Sequence, residues 1–274
     1  MKYQKYILDL QLRCTEALHE GYSVLKLTDP RKPLPAMAPG QFVEVRVDDS
    51  PVTFLRRPIS INRVVREANE LWLLVHAVGD GTRRLTALEA GATVNVVLPL
   101  GNGFTLPEAV AATGAGPQSC LLVGGGVGTA PLLFLGEELA ARGHKPVFLL
   151  GGRSASDLMQ LDLFRQLGEV LVTTEDGSAG ERGFVTQHSV WNEINVHRSS
   201  PSVKMVYTCG PKPMMVALAR KCHELGMSCE ASLENLMACG LGACLCCVED
   251  TIDGNVCVCK EGPVFPIEKL KWDL

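Results

Sequence analysis

No apolar run in this chain reaches the roughly 18 residues that would suggest a membrane-spanning helix. The opening residues, Met1-Lys-Tyr-Gln-Lys-Tyr6, lack the apolar core of an export signal. Neither sign of charge is in excess. With 26 basic and 30 acidic residues the net charge is -4, which removes the electrostatic case for a nucleic-acid partner. No acid–base pair or activated nucleophile stands out, and His76, His144, His188 and His223 have no partner pattern. The dehydrogenase fingerprint G-x-G-x-x-G is also missing. These absences leave no case for a membrane-spanning helix, a nucleic-acid partner or an acid–base pair.

Cysteine, by contrast, is plentiful. Eleven cysteines in a chain without an export signal read as metal ligands or buried thiols rather than a disulfide framework, which implies a reducing, cytoplasmic setting. Cys14, Cys120, Cys222 and Cys229 fall in apolar-patterned segments and are expected in the core. Cys239, Cys244 and Cys247 form C-x4-C-x2-C, the plant-type [2Fe–2S] spacing, with a fourth thiolate arriving later. Gly240 and Gly242 let the loop wrap round a cluster. A zinc site or a set of buried thiols is the ordinary alternative, but structural zinc favours paired C-x2-C units and only Cys244/Cys247 supplies one. Spacing leaves Cys257 and Cys259 both open as the fourth ligand.

A length of 274 residues suggests about two domains. The first hundred residues read as short strands between turns, including 41–47, 71–78 and 93–98, which predicts a small antiparallel barrel. Two stretches there carry chemistry. Leu55-Arg-Arg-Pro-Ile-Ser60 offers arginines to a phosphate, or is an exposed basic turn. His76-Ala-Val-Gly-Asp-Gly-Thr82 is a strand end that opens backbone N–H groups to a phosphate, or is a tight hairpin.

Residues 105–118 read as a connection. Then come a strand at Cys120–Val123, a loop Gly124-Gly-Gly-Val-Gly-Thr129 and a helix from Ala130 to Arg142, the order of a dinucleotide-binding unit. Strands at 145–150, 169–174 and 204–208 and a helix at 212–225 extend it into a parallel sheet. Gly151-Gly-Arg153-Ser154 stands where an acidic residue would end the next strand, so Arg153 bears on NAD versus NADP.

Arg57-Pro-Ile-Ser60 and Gly79-Asp-Gly-Thr82 together resemble the flavin domain of the ferredoxin–NADP reductase superfamily. The resemblance implies that Arg57, Pro58, Ile59 and Ser60, then Leu74, Val75 and His76, then Gly81 and Thr82 line FAD. Many members carry Tyr where Ile59 stands. The loop Gly124, Gly125, Gly126, Gly128, Thr129 and the run Cys209-Gly210-Pro211 resemble the pyridine-nucleotide domain of the same superfamily, where that cysteine lies close to the hydride path.

The cysteine segment, with Val258-Cys-Lys-Glu-Gly-Pro-Val-Phe265 and Thr174-Glu-Asp-Gly-Ser178, resembles the electron-transfer subunits of class 1B dihydroorotate dehydrogenases. That resemblance selects Cys259 as fourth ligand. It implies three parts: an FAD-binding barrel over 1–104, a doubly wound nucleotide domain over 105–230 and a [2Fe–2S] module over 231–274. It also implies NAD as acceptor and an FMN-bearing catalytic partner, two of each subunit. A ferredoxin:NADP reductase or hydrogenase diaphorase subunit, and a non-enzymatic redox-sensing module, are the alternatives.

Overall fold

The computed structural model describes residues 4–19, 21–114, 116–196 and 203–274. The start of the opening stretch (1–3) and Ala115 of the 105–118 connection lie outside them. No helix among the described residues is long and apolar enough to cross a membrane.

The described residues form two compact units. The first contains residues 1–103, 235–249 and 255–263, and the second 104–234, 250–254 and 264–274. The 231–274 module therefore does not close on itself. Its segments are shared between the units, with 235–249 and 255–263 in the first and 231–234, 250–254 and 264–274 in the second.

In the first unit, strands β1 (Tyr6–His19), β2 (Tyr22–Thr28), β3 (Phe42–Val45), β4 (Arg57–Val65), β5 (Glu70–His76) and β6 (Thr93–Leu100) close a barrel in the order β1-β2-β5-β4-β3-β6. Every pair is antiparallel. Leu8, Leu10 and Leu12 alternate into the core along β1. Strict alternation would bring Cys14 in as well. A register shift between Leu12 and Cys14 turns it outward, so Cys14 is exposed, contrary to expectation. Cys120, Cys222 and Cys229 are buried as expected.

Val43, Val45 and Val47 alternate along 41–47, which sets them on one face. In the fold all four residues of β3 are buried, including Glu44. The turn after β5 is not a hairpin: Asp80–Thr86 form a short helix, α1. Thr82 Oγ1 bonds both the N–H and the C=O of Gly79, each at 3.1 Å, and so starts that helix.

The second unit opens with α2 (Val110–Thr113), a single turn within the expected connection. It continues with β7 (Ser119–Gly125), α3 (Ala130–Ala141), β8 (Lys145–Gly152), α4 (Leu161–Leu167), β9 (Glu169–Thr174), β10 (Glu181–Arg182), α5 (Val190–Val196), β11 (Val203–Cys209), α6 (Lys212–Leu225) and β12 (Cys229–Ser232). These strands run parallel in the order β10-β9-β8-β7-β11-β12. The cysteine segment is divided: β13 (Val248–Thr251) and β14 (Gly254–Cys257) form a hairpin shared between the units, the short α7 (Val258–Glu261) belongs to the first, and β15 (Val264–Pro266) belongs to the second. Strand β15 lies antiparallel on β12. Leu122, Leu132, Leu135, Phe148, Phe164 and Tyr207 form the core of this unit. From β7 the chain winds one way through β8 and β9 and the other through β11 and β12. The order thus reverses between β7 and β11, which is where open α/β sheets bind ligands.

Candidate functional site

The cysteine loop belongs to the first unit. Gly240 and Gly242 both have positive φ, +63° and +80°, and fold the chain back so that backbone N–H groups face sulfur. Leu241 N–H donates to Cys239 Sγ at 3.3 Å, Gly242 N–H to Cys259 Sγ at 3.1 Å and Cys259 N–H to Cys247 Sγ at 3.4 Å. Desolvation raises the Cys239 thiol, but the N–H groups of Leu241, Cys244 and Ala243 outweigh it and leave the thiol at about 6, below its ordinary value. Burial pushes Cys259 up to about 12. Cys259 is buried and tied into this network, whereas Cys257 makes one 4.0 Å contact, to the Gly242 carbonyl.

Among the described residues no three His, Cys, Asp or Glu side chains are gathered to hold a single metal ion. A two-iron cluster takes four thiolates shared between two metals, and this donor set of four cysteines with N–H···S bonds suits it. Leu245 sits at φ +59° between Cys244 and Cys246, and both cysteines are exposed.

The barrel carries the flavin candidates. Arg57, Pro58, Ile59 and Ser60 start β4 and are half-buried. Leu74 and Val75 are buried, and the His76 ring is stacked on Tyr22 at 4.0 Å, so that ring is already engaged. Arg57 Nη2 donates to the Leu55 carbonyl at 3.0 Å, but its buried Nε has no partner among the described residues. A buried, unpaired guanidinium N–H is costly and fits an anion such as the FAD pyrophosphate. Gly81 packs close by, where a Cβ would meet Thr53 at 3.0 Å and Arg57 at 3.3 Å.

The neighbouring Arg56 does something else. Its guanidinium donates to the carbonyls of Glu44 and Asn95 and to Asn95 Oδ1, tying β3 to β6.

In the second unit the reversal between β7 and β11 brings together the two stretches expected to hold the nicotinamide nucleotide. Gly124 is paired in register with Cys209. Gly128 packs so closely on the next loop that a Cβ there would lie 2.4 Å from Gly210 Cα. Gly126–Thr129 make one tight helical turn, and Thr129 Oγ1 donates to the Gly126 carbonyl at 3.0 Å.

Cys209 itself is fully buried. Burial, with Glu234 at 3.9 Å, holds its thiol well above the ordinary value. Burial likewise raises the Glu234 carboxyl. Sequence reading missed Glu234, because nothing in its spacing ties it to residue 209. Arg153 is exposed, and its backbone N–H donates to Asp157 Oδ2 at 3.0 Å.

Residues 234–271 match the iron–sulfur cluster binding domain of dihydroorotate dehydrogenase B, and residues 122–220 match the oxidoreductase NAD-binding domain. The dihydroorotate dehydrogenase B (NAD(+)) electron transfer subunit of Shouchella clausii is 40% identical over 233 residues, 84% of this chain and 85% of that protein. The protein of the same name from Lysinibacillus sphaericus is 42% identical over 235 residues, covering 84% and 86%. Among solved structures, that of an NADH-dependent reduced ferredoxin-NADP oxidoreductase superposes with a TM-score of 0.81 at 28% identity, covering 96% of this chain and 90% of that one. Phthalate dioxygenase reductase, at 24% identity and a TM-score of 0.61 over 78% of this chain and 64% of that one, shares the fold.

Proposed function

We propose how the residues of this chain divide the work, from one premise: the chain belongs to the electron transfer subunits of dihydroorotate dehydrogenase B (NAD(+)). It is an oxidoreductase component that carries electrons between a catalytic subunit and NAD+ by way of a [2Fe–2S] cluster and FAD, in pyrimidine synthesis. Bound to this chain, FAD supplies what neither other group can, exchanging electron pairs with nicotinamide and single electrons with the cluster.

We assign Cys239, Cys244, Cys247 and Cys259 as the cluster ligands. The N–H···S bonds that tie Cys239, Cys247 and Cys259 into one network carry this reading. Arg57 through Ser60 and the Gly79–Thr82 turn hold FAD, Arg57 Nε meeting its pyrophosphate. Gly124–Thr129 and Cys209–Pro211 hold NAD, their glycines letting its phosphates and nicotinamide come close to the backbone. Cys209 is buried, so its part is to shape the nicotinamide pocket.

The partner is an FMN-bearing catalytic subunit, assembled two to two with this chain in the cytoplasm.

The test is the visible spectrum of the anaerobically purified chain before and after NADH. A flavin band over a broader iron–sulfur absorbance, both bleached by NADH, is expected. A colourless chain, or zinc in place of iron, would end this reading. Mixing with the FMN subunit should confer NAD+-dependent oxidation of dihydroorotate. The chain alone should not oxidise it.

A further inference from the structure

The barrel leaves a cavity of about 360 Å³ beside Arg57, within the size range of a small-ligand site. Its polar side is Arg57 and the Gly79–Thr82 turn. Its rim is apolar and unusually open to solvent: Phe54 is 89% exposed, Val78 66%, Val52 61% and Leu55 50%. A single exposed apolar side chain needs no explanation, but four round one cavity do.

The fold dictates which part of a ligand they meet. Arg57 is the first residue of β4, and Pro58, Ile59 and Ser60 lead away from the cavity along the strand. A flavin ring on that strand, with its pyrophosphate at Arg57 Nε, directs the rest of the dinucleotide the other way. Val52–Leu55 and Val78 line the cavity together with Arg57, whereas Pro58, Ile59 and Ser60 do not. A purine base is flat and weakly polar on its faces, and an exposed aromatic ring is the side chain that stacks on it best. Asp80 also borders the cavity, but Arg83 Nη2 holds its carboxylate at 2.7 Å.

We propose that Phe54, flanked by Val52, Leu55 and Val78, seats the adenine of FAD and so selects the dinucleotide over FMN. This rests on the barrel being the FAD site.

The experiment is flavin titration of the apoprotein of the full chain, followed by quenching of flavin fluorescence. Phe54→Ala should weaken FAD by roughly tenfold or more, the effect of removing one base–aromatic stack. FMN, which has no adenine, should bind wild type and variant within about twofold of each other, the spread that context alone produces. ADP should compete with FAD on the wild type and lose that ability in the variant. Phe54→Trp should restore FAD binding. Unchanged FAD affinity in Phe54→Ala overturns the proposal, as does equal loss of FAD and FMN. A wild-type apoprotein that binds neither flavin overturns the FAD assignment beneath it, a different failure. Because Phe54 is exposed, the alanine variant should keep the wild-type melting temperature.

Discussion

Glu44 of the barrel lies directly against Gly240 of the cysteine loop: a Cβ on Gly240 would fall 2.7 Å from Glu44 Cγ and 3.1 Å from Glu44 Oε1. Gly240 also has φ +63°, a conformation only glycine adopts freely. Both constraints act on one residue beside Cys239. Gly240→Ala should therefore displace the loop, at a backbone cost of about 1–2 kcal/mol before any overlap is counted. Iron and labile sulfide per chain should fall well below wild type. Full cluster content in this variant would show that the loop does not need this contact.

Glu44 gives a pH dependence. Both its carboxylate oxygens lack a hydrogen-bond partner among the described residues. Burial raises its pKa from 4.5 to about 7, with Arg56 and Arg57 pulling down and Cys239 pushing up. The folded chain thus holds this proton more tightly than the unfolded one. That stabilisation is complete below about 4.5 and is lost as pH rises through about 7. Glu44→Gln should remove the dependence. Measured by thermal melting, the variant should gain on wild type between pH 5 and pH 8, by up to about 3 kcal/mol. A constant difference across that range would place the ionisation elsewhere.

The fourth ligand can be separated from its neighbours. Cys259 is buried and bonded to the Gly242 N–H, whereas Cys257 and Cys246 take no such part. Cys259→Ser should abolish the cluster absorbance, and Cys257→Ser and Cys246→Ser should each retain it. Retention in Cys259→Ser with loss in Cys257→Ser would reverse the assignment.

In the nucleotide unit the contact of Gly128 with Gly210 leaves no space for a methyl group. Gly128→Ala should destabilise the fold by about 1–3 kcal/mol. It should also raise the NADH concentration needed to reduce the flavin, because both loops at the strand reversal must shift. Denaturant melts and an NADH titration report the two effects. Unchanged NADH dependence would mean that nucleotide binds elsewhere.

Much of this protein is written in local pattern. The C-x4-C-x2-C run and the glycine loop before an apolar helix each need only neighbouring residues, so spacing alone marks them, whereas Arg-Pro-Ile-Ser by itself reads equally as a basic turn and took a family resemblance to suggest a flavin. Burial of Cys120, Cys222 and Cys229 follows from the apolar pattern around them. What required the folded chain depends on residues distant in sequence. The outward turn of Cys14 comes from a slip in pairing with β2 that β1 does not announce. Glu44 reads as the polar face of an alternating strand until a loop nearly two hundred residues later covers it. Cys209 and Glu234 meet only because parallel strands bring their ends together, and Phe54 becomes part of a site only because the Gly79–Thr82 turn closes the other side of its cavity. Periodicity reports which side of a strand is apolar. Only tertiary contact decides what that side meets, because burial belongs to the pair and not to either segment.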